Sequence, residues 1–284
     1  MKILWTKFKN KNSRQEMSNP YVLQTRGLVK KFRGFQAVDH VDLQIRQGDI
    51  HALIGPNGAG KTTVFNLLTK FLIPTRGQIL YKGEDITSLK SAAIARRGVV
   101  RSFQISAVFP HMTALENIRV ALQTFEGNSF SFWQSGARLN KLNERAMELL
   151  DAVGLTSFAN TTAVELAYGR KRALELATTL AMEPEILLLD EPTQGMGSED
   201  VDRVVELVRS AAKGRTVLMV EHNLSVVSKL CDRITVLAQG AVLTEGDYET
   251  VSADPRVREV YMGSDGSGER GATETNPASA EAAQ

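Results

Sequence analysis

The chain has 284 residues, 43% hydrophobic and 23% charged, with 34 basic against 32 acidic side chains and a formal net charge of +2. That length and balance describe a folded body with an ordinary core and give no argument for a nucleic-acid partner. The single cysteine, Cys231, excludes an internal disulfide and a cysteine-based zinc site, and its apolar setting reads as core.

Residues 1–20 are polar and basic, with Trp5 and Phe8 but no continuous apolar run, and read as a flexible extension. No stretch approaches the ~18–20 apolar residues that span a bilayer. The folded body is expected over 21–263. Residues 264–284, rich in Ser, Gly, Ala, Glu and Thr, are expected to be a disordered tail.

Within the body, Val41–Ile45 and Gly77–Tyr81 read as strands, and Asp49 to Ile54 as a short, partly buried one. Next comes Gly55-Pro56-Asn57-Gly58-Ala59-Gly60-Lys61-Thr62, followed by Thr63 and a helical pattern to Thr69. Glycines let a loop turn its N–H groups inward around an anion, and the following helix start adds positive potential. Lys61 is placed to reach β/γ-phosphates and the Thr62 hydroxyl to hold Mg²⁺, so the segment predicts a nucleoside triphosphate site.

Val99–Ser102 is strand-like and is followed by Gln104, whose amide oxygen suits Mg²⁺ or water. From there to about Ala181 the pattern is helical. Thr113-Ala-Leu-Glu116 forms a capping box, Ala137 to Val153 is a helix closed by Gly154, and another helix runs from about Tyr168 to Ala181. We therefore expect a helical insertion over about 105–181. Beyond it, Ile186–Leu189, Thr216–Val220 and Arg233–Ala238 are short apolar runs of the buried, parallel type. Between the first two of these, Ser198 caps a helix with a Val201, Val204, Val205, Val208 stripe. Strands alternating with helices give an α/β fold with a mainly parallel sheet.

The first of these runs ends in Asp190, delivered to the sheet edge where metal-held phosphates sit, and Glu191 follows as a candidate base for the attacking water. Val220-Glu221-His222-Asn223 brings His222 to the same edge. Phe32 is an aromatic placed to stack on a purine ring.

The order Phe32, Gly55–Thr62, Gln104, Leu166-Ala167-Tyr168-Gly169-Arg170, Asp190-Glu191, His222 resembles the ATP-binding subunit of an ABC transporter. The resemblance covers about Tyr21 to Met262. It implies a phosphate-loop ATPase fold with a mainly parallel core sheet, an antiparallel β subdomain and an inserted helical subdomain. In that family two subunits pair head to tail, with ATP between the loop of one and the signature, usually written LSGGQ, of the other. Leu166–Arg170 stands at the signature position. The implied roles are adenine stacking for Phe32, Mg²⁺ and membrane-partner sensing for Gln104, Mg²⁺ for Asp190, general base for Glu191 and γ-phosphate contact for His222.

Arg101-Ser-Phe-Gln104, Phe109 to Asn117, the LAYG form of the signature and Asp254 to Gly263 further resemble branched-chain amino acid importers. Those pair two ATPase subunits with integral membrane permease subunits, at the cytoplasmic face of the membrane, and with a periplasmic binding protein. Lipopolysaccharide-export ATPases are similar, and soluble ABC ATPases of DNA repair or translation are the remaining alternative. The absence of a long heptad run and the presence of one cassette count against that alternative. The chain departs from the family pattern at Ala167, where a serine is usual, and at Gly197, where an aspartate is common. A partner with the usual signature would then make the two ATP sites unequal.

Overall fold

The computed structural model describes residues 19–102, 108–125 and 136–265. Strands β1 (Tyr21–Phe32), β2 (Phe35–Val41), β3 (Gln44–Arg46) and β4 (Ile50–Ile54) precede helix α1 (Lys61–Leu68). Then come β5 (Arg76–Tyr81), β6 (Glu84–Asp85), α2 (Ser91–Arg96) and β7 (Val99–Arg101). Helices α3 (Ala114–Phe125), α4 (Gly136–Ala152) and α5 (Tyr168–Leu180) separate β7 from β8 (Ile186–Asp190). The chain continues through α6 (Ser198–Ala212), β9 (Thr216–Val220), α7 (Leu224–Leu230), β10 (Arg233–Ala238), β11 (Ala241–Gly246), α8 (Tyr248–Ala253) and α9 (Pro255–Asp265).

The aliphatic runs form one sheet in the order β11-β10-β4-β9-β8-β7, parallel throughout except for the β10–β11 pair. A second, smaller sheet has the order β2-β1-β5-β6 with β3 also on β1, all antiparallel. Strands β4, β8 and β9 are buried on both faces, so their alternating side chains feed two different cores. Leu53, Leu188 and Leu218 face α1 and the antiparallel sheet, together with Val64, Phe65 and Leu68. Ala52, Ile54, Leu187, Leu189, Val217 and Met219 face the helices, packing with Ile118, Leu150, Leu174 and Val205. Each large side chain buried this fully contributes ~1.5–3 kcal/mol, which anchors the strand ends that carry the site.

Several boundaries differ from the sequence reading. Val41–Ile45 is not one strand. It breaks between β2 and β3 because Thr25 inserts its hydroxyl, donating to the Val41 carbonyl (2.8 Å) and accepting from the Leu43 N–H (2.8 Å). The strand leading to the loop starts at Ile50 and is buried along its whole length, not partly. Helix α6 has Gly197 rather than Ser198 at its N-cap. The capping box at the start of α3 is present in both halves: Glu116 Oε2 accepts from the Thr113 N–H (2.8 Å) and Thr113 Oγ1 from the Glu116 N–H (3.2 Å). Among the described residues no helix is long and apolar enough to cross a membrane.

Candidate functional site

The loop after β4 is shaped by close backbone approach. Gly55, Gly58 and Gly60 have φ of 148°, 80° and 98°. A Cβ on Gly55 would lie 2.2 Å from the Leu237 carbonyl oxygen, and one on Gly60 2.5 Å from that of Ala37. Glycine is therefore required at both, because strands β10 and β2 press directly on the loop. Ala59 is buried, Pro56 half-buried, and Asn57, Gly58 and Thr62 are exposed, with Thr63 half-buried behind Thr62. Gly60 is the N-cap of α1 and brings no side-chain acceptor, which leaves the first N–H groups of the helix open to a ligand.

Lys61 is 8% exposed, and its Nζ donates to the carbonyls of Gly55 (2.6 Å) and Pro56 (3.0 Å). Burial holds its ammonium below the usual lysine pKa, while the carboxylates of Glu191 and Asp190 pull the other way. A cation kept in a loop of carbonyls beside two carboxylates fits an anionic triphosphate that would replace its backbone partners.

Asp190 ends β8 and is 4% exposed. Its Oδ2 accepts from Nη2 of Arg101, and Nη1 of the same side chain donates to Asn66 on α1 (2.6 Å), so β7, β8 and α1 meet at one guanidinium. Glu191 has φ of 46°, a left-handed conformation rare for a residue with a Cβ, and its N–H donates to the Val220 carbonyl (3.0 Å). His222 Nδ1 lies 4.0 Å from Glu191 Oε1. Glu221, between β9 and His222, is fully buried and accepts hydrogen bonds from Thr193, His222 and Asn223.

The Leu166–Arg170 segment opens α5. Leu166 is buried, and a Thr162–Glu165 capping box fixes the turn before it. Ala167 is the N-cap and brings no side-chain acceptor to the first turn. Gly169 is half-buried, while Ala167, Tyr168 and Arg170 face solvent beside a groove of about 950 Å³ shared with Phe158, Asp200 and Arg203. The Tyr168 hydroxyl donates to the Gln194 carbonyl (3.1 Å), and the Arg170 guanidinium stacks 4.0 Å over Phe158. Among the described residues no hydrogen bond or ion pair joins this segment to Gly55–Thr63. Phe32 is 42% exposed at the end of β1, paired across the hairpin with Phe35 and 5.1 Å from Lys30 Nζ. Gln104 lies outside the described residues.

Thus Lys61, Asp190, Glu191 and His222 are brought to one edge of the parallel sheet; Phe32 and the Leu166–Arg170 segment are not joined to them. Sequence reasoning gave no role to Arg101, Asn66 or Glu221. Their significance lies in partners distant in sequence; Arg101 and Asp190 are 89 positions apart.

A glycine cradle with a buried lysine, one strand removed from an Asp-Glu pair on a parallel sheet, defines a phosphate-loop ATPase. The chain belongs to the ABC transporter family, whose model matches residues 38–194. A model described as branched-chain amino acid ATP-binding cassette transporter matches residues 241–267. The chain is 41% identical to the high-affinity branched-chain amino acid transport ATP-binding protein BraF of Pseudomonas aeruginosa, over 87% of this chain and 99% of the relative. It is also 41% identical to LivG of Escherichia coli K12, a protein of the same description, with the same coverage. Among solved structures it is similar to a nucleotide-free ATP-binding cassette from an ABC transporter, with 29% identity, TM-score 0.75, and coverage of 85% of this chain and 98% of the other. It is likewise similar to a dimeric post-hydrolysis cassette bound to ADP and Pi, with 26% identity, TM-score 0.68, and coverage of 80% and 98%.

Proposed function

We propose that this chain hydrolyses ATP to drive an importer of branched-chain or related amino acids. It would work as one of two paired cassettes on integral membrane permease subunits at the cytoplasmic face, with a periplasmic binding protein supplying the substrate. The match at 241–267 and the relatives' descriptions support the substrate class. The observation that carries the chemistry is the meeting of Lys61, Asp190, Glu191 and His222 at one sheet edge.

In this reading Lys61 exchanges its carbonyl partners for the β/γ-phosphates, while the N–H groups of Gly58 to Thr63 close around them. The Thr62 hydroxyl, a carboxylate oxygen of Asp190 and the Gln104 amide oxygen are hard donors that would hold Mg²⁺, which would supply positive charge to the transferring phosphoryl group. Glu191 accepts a proton from the attacking water, and His222 holds the γ-phosphate from the far side. Phe32 stacks on adenine with its exposed face. Leu166–Arg170 of a second cassette covers the γ-phosphate, with Ala167 and Gly169 contributing backbone N–H groups where a serine hydroxyl is usual.

Glu191→Gln should keep ATP affinity and lower turnover by about 100-fold or more. Parental turnover in that variant would remove Glu191 from its role. For the substrate, cells lacking the chain should lose ATP-dependent uptake of radiolabelled leucine, isoleucine and valine; unchanged uptake would overturn the amino-acid assignment.

A further inference from the structure

The side chain of Glu221 is fully buried, yet it belongs to none of the roles above. Its Oε1 accepts from both the Thr193 N–H (3.1 Å) and the Thr193 hydroxyl (2.5 Å). Its Oε2 accepts from the N–H groups of His222 (3.0 Å) and Asn223 (3.1 Å). Both oxygens are therefore used only as acceptors, and they grip two separate stretches of chain.

Those stretches are the ones that carry the hydrolytic groups. Thr193 follows Glu191 by two residues, with Pro192 between, and His222 follows Glu221 directly. Glu191 sits in a left-handed conformation (φ of 46°) that needs support from its surroundings, and the Val220 carbonyl and the Thr193 grip supply it from either side. Asn223 in turn caps α7, its side chain accepting from the N–H groups of Ser225 (3.1 Å) and Val226 (3.4 Å), so the grip extends to a rigid helix.

We propose that Glu221 is the positioning residue of the hydrolytic centre: its carboxylate clasps the segment after Glu191 to the start of the His222 segment and keeps the two side chains in register. The inference rests on the roles of Glu191 and His222 proposed above. Glutamate is specifically needed. Glutamine would present an amide N–H₂ to N–H donors on one side, and aspartate lacks the methylene that lets one carboxylate reach both stretches.

The test uses the full-length chain. Glu221→Gln should lower turnover about 10- to 100-fold, the cost of a small misplacement of reacting groups, with ATP affinity unchanged. Amide hydrogen exchange at Thr193, His222 and Asn223 should quicken, while that of Val64 to Leu68 in α1 stays as in the parent. If Glu221→Gln does not fold, Thr193→Val removes only the hydroxyl contact and should lower turnover in the same direction by a smaller factor, again without loss of ATP affinity. Parental turnover in either folded variant overturns the proposal. So does a loss of turnover accompanied by an equal loss of ATP affinity and faster exchange throughout, which marks a general structural role. Failure of the underlying reading is separable, because it appears as parental turnover in Glu191→Gln, whatever Glu221 does.

Discussion

The phosphate loop and the Leu166–Arg170 segment are both glycine-containing starts of helices, yet they are built in opposite ways. The loop is pressed from two sides: Gly55 and Gly60 have positive φ and leave no room for a Cβ against Leu237 and Ala37. Gly169 has no positive φ, and a Cβ there would meet only the Asp200 side chain, at 3.3 Å. Behind the loop stands a wholly buried strand; around the signature segment, Ala167, Tyr168 and Arg170 are exposed. If the two are the halves of one ATP site, as proposed, one half is preorganised by its own core and the other presents a surface. The difference is what a site shared between two cassettes requires, since a surface segment gains its ligand only through a partner.

The largest effect expected from breaking the loop half is on binding. Lys61→Ala removes the cation proposed to meet the phosphates and should weaken ATP binding by about 4 kcal/mol, roughly 1000-fold, by isothermal titration. Next is the strand beneath the loop. His51 is fully buried with Nε2 against the Thr235 hydroxyl (2.7 Å), and burial chiefly holds its pKa down at about 4 rather than 6.5, with Glu245 opposing and Arg233 assisting. The folded pKa lies below the unfolded one, so the unfolded chain takes up a proton that the folded chain refuses. This contribution is present above pH 6.5 and is lost as pH falls toward 4, by up to about 3 kcal/mol. Denaturant unfolding at pH 7 and 4.5 reads this loss, and His51→Gln should flatten it.

The two glycines should respond differently to the same substitution. Gly60→Ala should cost about 2 kcal/mol of stability, through strain and the 2.5 Å approach to Ala37, and lower the melting temperature of the isolated chain. Gly169→Ala should change stability by less than about 1 kcal/mol, since only a side chain must give way, while lowering turnover of the paired cassettes. Equal melting temperatures for the two variants would contradict the contrast between a core-built and a surface-built half.

How much of this was legible in the sequence follows the same division. The loop, the aliphatic runs that became β8, β9 and β10, and the Thr113–Glu116 cap are local patterns, and their chemistry is contained in a few adjacent residues. The long β1 leaves no clear pattern in the sequence, because Gly27 and the register shifts around it interrupt its alternation. Strand β11 is equally silent, being half-exposed along its length without a two-residue period. Arg101 and Glu221 lie within the Arg101–Gln104 and Val220–Asn223 motifs, but the partners that give them a role are distant in sequence: Arg101 meets Asn66 and Asp190, and Thr193 is 28 positions from Glu221. Cys231, expected in the core, is only half-buried just past α7 and packs against the edge of the larger core.

In the proposed reading one chain holds the loop half of one ATP site and the signature half of another, and neither site is complete without a second cassette. This is tested most directly by ATP turnover per chain over a dilution series of the purified full-length protein. Specific activity should fall steeply on dilution, as paired cassettes separate. Turnover by a monomer that is independent of concentration would contradict it.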